Sequence, residues 1–198
     1  MRIRNFWYTL FVKTLLIDNG STLTKKLAQL SPGQEDIVNY ANIPDDVSSY
    51  SLIILSGSSL FPIQGNEDEL AKEISLIKNV SVPLVGVCLG HELIAHAYGS
   101  PLTQMSRHIG MTDIRVTSPH PMFLGKEVFS VYENHQYGIT SVTEELEILA
   151  RSEHAIAVLK HKTKPIYGLQ FHPEHHSEQQ FGDEVFLKLF DELMLEYR

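Results

Sequence analysis

The sequence predicts an α/β fold with a mostly parallel central sheet, helices on both faces and antiparallel additions in its second half. Three observations lead to this prediction. Short apolar runs alternate with helical patterns in the first half of the chain, strand-like runs follow one another in the second half, and an amphipathic helix comes last. Buried strands separated by helices are typical of parallel sheets, whereas strands that follow one another directly pair antiparallel.

Four runs in the first half are predicted to be strands. They are residues 14–18, 36–40, 51–55 and 83–87, and turn-forming residues such as Asn19-Gly20 follow the first of them. Apolar residues at helical spacing predict helices over 22–30, 67–78 and 88–98. Gly99 ends the third of these helices.

The second half departs from this alternation. Strand-like runs at 114–116, 128–132, 148–150, 155–159 and 166–171 have few helices between them. The final helix is predicted over 183–197 because its apolar residues form one stripe at helical spacing. We find no repeat or linker that divides the chain, so we expect one domain over 1–198, with residues 1–12 as an extension or an edge strand.

Composition excludes several classes of protein. The 198 residues carry a net charge of −8 without clusters of Lys or Arg, which argues against nucleic-acid binding. No stretch approaches the roughly 20 apolar residues of a membrane span. The single cysteine excludes an internal disulfide and favours a reducing compartment, so we expect a cytoplasmic protein.

That cysteine, Cys88, lies between a predicted buried strand and a predicted helix. Gly86 and Gly90 flank it, and small neighbours allow a sharp turn to pack closely around a reactive side chain. The N-terminus of the following helix is expected to lower the pKa of the thiol. A lone cysteine is also often a small buried hydrophobe, so the position alone leaves both interpretations open.

A second segment favours the catalytic interpretation. The strand at 166–171 leads directly into His172-Pro173-Glu174, at the same end of the sheet as Cys88. A thiol activated by a histidine, which a carboxylate holds in place, is the cysteine form of a catalytic triad. We therefore predict Cys88, His172 and Glu174 as catalytic residues.

The two segments together resemble the class I glutamine amidotransferases. Gly86-Val-Cys-Leu-Gly-His-Glu92 is similar to the nucleophile turn of that family, and Gly168-Leu-Gln-Phe-His-Pro-Glu174 to its second catalytic segment. The resemblance implies a flavodoxin-like fold, no cofactor, and hydrolysis of glutamine through a thioester on Cys88. It also implies an oxyanion hole from Gly57, Ser58 and Leu89, and a glutamine site that includes Glu92, Gly57 and Ile109.

The chain departs from the family pattern at three positions. Ser58 and Ser59 replace the glycine and proline of the usual Ser-Gly-Gly-Pro loop, and serine restricts a backbone that glycine leaves free to turn over. Glu92 stands where many relatives have glutamine. Its carboxylate can accept from the substrate's ammonium group, but it would repel the α-carboxylate.

The implied partner is a separate, ATP-dependent synthetase that uses the ammonia. The chain contains no P-loop, and Tyr132-Glu-Asn-His135 is similar to a segment of the amidotransferase subunits of GMP synthetases that couples the two active sites. His135 is therefore a candidate coupling residue. Tyr137 replaces the aspartate of that motif, and residues 134–138 also resemble carbamoyl phosphate synthetase small subunits.

Two other functions stay open on the sequence alone. The departures at Ser58 and Glu92 leave room for a stand-alone hydrolase of γ-glutamyl compounds, and a non-catalytic regulator is a third interpretation. A metal site is not expected. Although His172, Glu174, His175 and His176 are neighbours in the chain, the triad already uses two of them, and no fourth ligand follows at a recognisable spacing.

Overall fold

The computed structural model describes residues 12–175 and 180–196. Apart from Val12, the predicted extension or edge strand at 1–12 lies outside the described residues. The strands are Lys13–Asp18 (β1), Gln34–Asn39 (β2), Leu52–Leu55 (β3), Leu84–Val87 (β4), Leu102–Val116 (β5), Val128–Ile139 (β6), Leu146–Arg151 (β7), Ile156–His161 (β8) and Ile166–Leu169 (β9). The helices are Thr24–Leu30 (α1), Ala71–Asn79 (α2), Leu89–Ala97 (α3) and Gly182–Glu196 (α4), with short 3₁₀ helices at Tyr40–Asn42 and Pro121–Phe123.

Within the described residues these strands form one sheet in the order β2-β1-β3-β4-β9-β8-β7-β5-β6. The first five are parallel neighbours, and their order is that of a flavodoxin-like sheet in which β9 is the fifth strand. The other four are joined by antiparallel pairing. The prediction of a parallel sheet with antiparallel additions is confirmed.

The two faces of the sheet are covered by different helices. On one face, Leu27 of α1 and Phe186 of α4 belong to the same apolar cluster as Leu16 of β1. On the other face, Ile77 of α2 and Leu93 of α3 pack with the neighbours of Leu16 in β1. Side chains alternate between the two faces along a strand, so β1 contributes to both clusters. The predicted placement of helices on both faces is confirmed.

The antiparallel part is longer than the sequence predicted. β5 has 15 residues and β6 has 12, whereas the apolar runs marked only their ends at 114–116 and 128–132. Most of the first half of β5 is exposed or half-buried, so its side chains show no apolar alternation to mark a strand. The pairing between β5 and β6 also shifts register between Gln104 and His108.

Neighbouring strands of the parallel part end at the same level. Leu55 of β3 pairs with Gly86 of β4, and Val87 of β4 pairs with Leu169 of β9. The segments that follow these strands therefore meet at one edge of the sheet, where ligands usually bind in such folds. In the parts of the chain that the structure describes, no helix is both long and apolar enough to cross a membrane.

Candidate active site

Cys88 occupies a strained turn between β4 and α3. Its backbone has φ 52° and ψ −104°, a conformation that costs a non-glycine residue on the order of 1–3 kcal/mol. Hydrogen bonds hold the turn on both sides. The N–H of Cys88 donates to the C=O of Leu169 at 2.8 Å, and the N–H of Glu92 donates to the C=O of Cys88 at 3.0 Å. The turn therefore presents the thiol at the carboxyl edge of the sheet.

Two glycines let the strand, the turn and the helix approach one another. A Cβ atom at Gly86 would lie 2.3 Å from the C=O oxygen of Gly90, and one at Gly90 would lie 2.5 Å from that of Leu55. Real Cβ atoms do not come so close to backbone atoms. The sequence prediction that small residues allow close packing around Cys88 therefore has a direct geometric basis.

His172 and Glu174 follow β9 and form a buried pair. Their side chains are joined by a hydrogen bond of 2.8 Å between Nδ1 and Oε1, and the carboxyl group of Glu174 is almost fully buried. The N–H of His172 donates to the C=O of Tyr132 at 2.9 Å, which ties the segment after β9 to β6. The ring of Tyr132 stacks on that of His175 with centroids 3.6 Å apart. Glu174 thus holds the imidazole, and β6 holds the backbone of the same residue.

Cys88 and His172 meet beside Gly57. A Cβ atom at Gly57 would lie 3.3 Å from both Cys88 Cβ and His172 Cε1, so only glycine leaves the two side chains undisturbed. Burial disfavours the charged form of His172, but Cys88 and Glu174 outweigh burial and raise the pKa of the imidazole well above its ordinary value. This environment favours an imidazolium next to the thiol.

The pKa of the Cys88 thiol is shifted in the direction opposite to the one expected from the sequence. We expected the N-terminus of α3 to lower it, but burial raises the pKa of Cys88, and the charge of His172 opposes that shift only in part. Helix dipoles contribute fractions of a charge, whereas full desolvation of an ionised group is a larger effect. The thiolate of Cys88 therefore depends on its imidazolium partner.

The oxyanion loop, residues 56–59, follows β3 and lies against this pair. The Ser58 hydroxyl accepts from the N–H groups of Leu60 and Phe61 at 3.0 and 3.3 Å, and the N–H of Ser59 donates to the C=O of Gly20 at 3.2 Å. By contrast, the N–H of Ser58 has no hydrogen-bond partner among residues 12–175 and 180–196. The N–H of Leu89, in the first turn of α3, has none within its helix either. Two predicted oxyanion donors are thus free to bind a ligand.

A cleft of about 380 Å³ opens above these residues. The predicted site residues that line it are Ser58, Cys88, Leu89, Glu92, His135 and His172. Glu174 and Gly57 are not among the lining residues, but Glu174 bonds His172 and Gly57 adjoins the side chain of Cys88. Ile109 is not among the lining residues; it is 55% exposed on β5, opposite Asn134. Sequence reasoning did not name Arg107, whose guanidinium donates to the Asn134 amide oxygen at 3.2 Å at the rim of the cleft.

Glu92 is buried in the floor of the cleft, one helical turn after Cys88. Its Oε1 accepts from Gln170 Nε2 at 3.2 Å. Burial raises the pKa of Glu92 to about 7, and the hydrogen bond from Gln170 opposes the shift. Near neutral pH a large fraction of this carboxyl group is therefore uncharged, which reduces the repulsion that the sequence predicted for a substrate carboxylate.

His135 is held in the same floor by two acceptors. One ring nitrogen lies 2.8 Å from the C=O of Tyr137, and the other lies 3.3 Å from Glu133 Oε2. Burial disfavours the charged ring, but Glu133 outweighs burial and raises the pKa of His135. Glu133 was not predicted from the sequence, because a buried acid in a strand has no distinct pattern.

The described residues offer no group of three or more His, Cys, Asp or Glu side chains that is arranged to hold a metal ion. His176, which the sequence placed next to the triad, lies outside the described residues. The groups that meet at the cleft are a buried thiol, an imidazole whose pKa is raised and two backbone donors.

Comparisons with known proteins point to one family. The family described as glutamine amidotransferase class-I matches residues 15–192. The chain is 32% identical over 181 residues to a glutamine-hydrolysing GMP synthase subunit of Methanocaldococcus jannaschii, with 86% of this chain and 92% of the relative covered. It is also 32% identical over 191 residues to the protein of the same name from Pyrococcus abyssi, with 90% and 99% covered.

Solved structures share the fold. A Thermoplasma acidophilum protein proposed to be a GMP synthase subunit superposes with a TM-score of 0.84 at 24% identity, covering 94% of this chain and 96% of that one. A glutamine amidotransferase from Thermotoga maritima superposes with a TM-score of 0.73 at 18% identity, covering 94% and 86%. Since the family match spans nearly all of the described residues and the relatives align over most of their length, the chain belongs to the class I glutamine amidotransferase family.

Proposed function

We propose that this amidotransferase hydrolyses glutamine to glutamate and ammonia with Cys88, His172 and Glu174, and passes the ammonia to a separate synthetase. The observation that carries the proposal is that the Cys88 side chain and the His172 imidazole adjoin each other at Gly57, with the imidazole held by Glu174 at 2.8 Å. The stand-alone γ-glutamyl hydrolase and the regulator are not favoured, because the relatives are named as subunits of a glutamine-hydrolysing synthase.

The reaction proceeds in two halves. The Cys88 sulfur attacks the side-chain amide carbon of glutamine, and the N–H groups of Ser58 and Leu89 stabilise the oxyanion. His172 gives a proton to the nitrogen, the C–N bond breaks, and ammonia leaves a glutamyl thioester. Water, which gives a proton to His172, then attacks the thioester and releases glutamate and the thiol. No cofactor enters either half.

Glu174→Gln is expected to lower kcat by about 10²-fold, because glutamine keeps a hydrogen bond to His172 but removes the charge that favours the imidazolium. Without that charge the pKa of His172 falls, and the alkaline limb of the kcat profile moves to lower pH. Steady-state ammonia release between pH 6 and 10 measures both effects. A loss as large as that of a Cys88 variant would contradict a role limited to orienting and charging His172.

For the partner, we infer the ATP-dependent synthetase of a two-subunit GMP synthase, on the names of the relatives. His135 is the coupling residue in this inference, since it lines the cleft and belongs to the segment that resembles the coupling segment of those subunits. The proposal also includes one domain over residues 1–198. Glutamine is bound with help from Glu92, Gly57 and Ile109. The protein is located in the cytoplasm, which keeps the Cys88 thiol reduced.

The isolated chain is expected to hydrolyse glutamine slowly, and the bound synthetase is expected to raise the rate by about 10²-fold or more. Such a gain corresponds to one oxyanion donor. In the isolated chain the peptide between Gly57 and Ser58 is expected to exchange between two orientations, and the synthetase is expected to favour the one that directs the Ser58 N–H to the substrate. In the oxyanion loop, the Ser58 hydroxyl bonds two backbone N–H groups, and its Cβ restricts rotation of the peptide. Ser58→Gly removes both restraints and is expected to raise the rate of the isolated chain.

Ser58→Ala is the matched control, because it removes the hydroxyl but keeps the Cβ. Its gain should be smaller than that of Ser58→Gly if backbone freedom limits the loop. The measurement is ammonia release by each variant, with and without ATP and the synthetase from the same organism. Turnover of the isolated wild-type chain at tens per second would contradict the gating and would favour a stand-alone hydrolase.

A further inference from the structure

A series of buried hydrogen bonds connects α2 to the oxyanion loop. It begins at Glu73, whose side chain is only 1% exposed. Glu73 Oε1 accepts from Asn19 Nδ2 at 3.1 Å. The same nitrogen donates to the C=O of Ser56 at 3.1 Å, and the backbone N–H of Asn19 donates to Ser56 Oγ at 2.9 Å. Asn19 and Ser56 are fully buried as well, so water does not compete for these bonds.

The last bond of the series acts on the peptide that carries a proposed oxyanion donor. Ser56 Oγ donates to the C=O of Gly57 at 2.8 Å. Among the described residues no peptide bond is cis, and in a trans peptide the next N–H points opposite to the C=O. The bond to Gly57 therefore sets the direction of the Ser58 N–H. Turning this peptide over would leave the buried Ser56 hydroxyl without its acceptor.

We propose that Glu73 is a positioning residue for glutamine hydrolysis, which orients Asn19 and, through Ser56, the peptide between Gly57 and Ser58. The inference rests on the proposed function, because it concerns the oxyanion hole of that reaction. Glu73 does not touch the substrate in this role. It acts from the opposite side of the loop, through two residues that are themselves buried.

Two buried atoms without partners support a functional reason for this arrangement. In the described part of the chain, Glu73 Oε2 and Asn19 Oδ1 are buried and have no hydrogen-bond partner. Such atoms cost free energy, and a leucine at position 73 would avoid part of that cost in an apolar layer beside Leu70 and Ile77. Glutamate at position 73 is thus less favourable for stability than leucine, but it provides the acceptor that holds Asn19.

Glu73 is expected to act as the neutral acid. Burial raises its pKa to about 8, and the hydrogen bond from Asn19 opposes only part of the shift. Among the described residues, no charged group contributes to this pKa. The titratable side chains on the neighbouring elements are those of Asp18, Tyr40, His91, Glu92 and His96. Of these, His91 is hydrogen-bonded to the C=O of Ile156, and Glu92 accepts a hydrogen bond from Gln170.

The first test compares Glu73→Leu with Glu73→Gln in the complex with the synthetase. Leucine keeps the volume but removes the acceptor, so kcat should fall by about 10²-fold, the effect of one oxyanion donor. The KM for glutamine and the rate of Cys88 alkylation by iodoacetamide should stay within about twofold, because the oxyanion forms only in the transition state. Glutamine keeps the acceptor and should retain kcat within about threefold.

The second test uses pH and does not depend on the leucine variant. Below pH 7 the ratio of kcat between wild type and Glu73→Gln should be constant. It should then fall as the pH rises through about 8, because an ionised Glu73, which no charged group neutralises, would open its buried site to water and loosen Asn19, whereas glutamine stays neutral. Titration of Cys88 and His172 affects both proteins equally and cancels in the ratio.

The outcomes separate the two proposals. A Glu73→Leu variant that folds and turns over at the wild-type rate would overturn the role of Glu73. If that variant does not fold, a Ser56→Ala variant, which removes the donor to the C=O of Gly57, would overturn it instead by turning over at the wild-type rate. A wild-type chain that releases no ammonia from glutamine, even with the synthetase bound, would remove the proposed function itself.

Discussion

Cys88→Ala is expected to abolish glutamine hydrolysis, with a fall in kcat of at least about 10⁴-fold. Cys88 is the only cysteine of the chain, so no second thiol can replace it. The fold should remain intact. Alanine keeps the Cβ and therefore the same backbone strain at φ 52°, and loss of one buried sulfur costs about 1 kcal/mol.

Ammonia release and thermal denaturation, measured on the same preparation, check this expectation. Cys88→Ser is the control, because it keeps the size of the side chain and replaces a good nucleophile with a poor one. Both variants should be folded and nearly inactive. If Cys88→Ala retained as much as about a hundredth of the wild-type rate with the synthetase bound, a different nucleophile would have to be sought.

Gly86→Ala is expected to have the largest effect on stability, a loss of about 3 kcal/mol or more. The added Cβ would lie 2.3 Å from the C=O oxygen of Gly90 and 2.4 Å from its carbon, and these backbone atoms cannot move without displacing α3 from β4. For a chain of this length, that loss corresponds to a fall in Tm of roughly 6–12 °C.

Gly125→Ala is the matched control for Gly86→Ala. Gly125 has φ 77°, and an added Cβ would meet no atom within 4 Å, so this variant measures backbone strain alone, about 1–2 kcal/mol. Gly86 has no such φ, and its cost comes from packing. Equal denaturation midpoints for the two variants would mean that α3 and β4 have room to separate.

Much of the fold and the placement of Cys88 and His172 were predictable from sequence because their signals are local. β1, β3 and β4 are short apolar runs, and each is buried on both faces of the sheet. Cys88 and His172 each follow such a strand directly, so their arrival at one edge follows from parallel pairing alone. The glycines beside Cys88 indicated the tight turn that its φ of 52° now demonstrates.

The parts that sequence reasoning missed depend on contacts between distant segments. The first half of β5 is polar, and only its pairing with β6 makes it a strand. Glu73 is joined to Asn19 across 54 positions of the chain. One signal was available for Glu73, because it lies three residues after Leu70 and four before Ile77, on the apolar face of its helix. A charged residue on such a face is worth testing as a buried functional group.

The position of β9 has a consequence for how the molecule is made. This last described strand lies between β4 and β8, and it brings His172 to Cys88, which precedes it by 84 residues. During synthesis, the edges of β4 and β8 that pair with β9 stay without a partner strand until β9 has been made. Pairing between segments so far apart is slow to form and exposed to misassembly. A chain that stops before β9 therefore brings neither His172 nor Glu174 to Cys88.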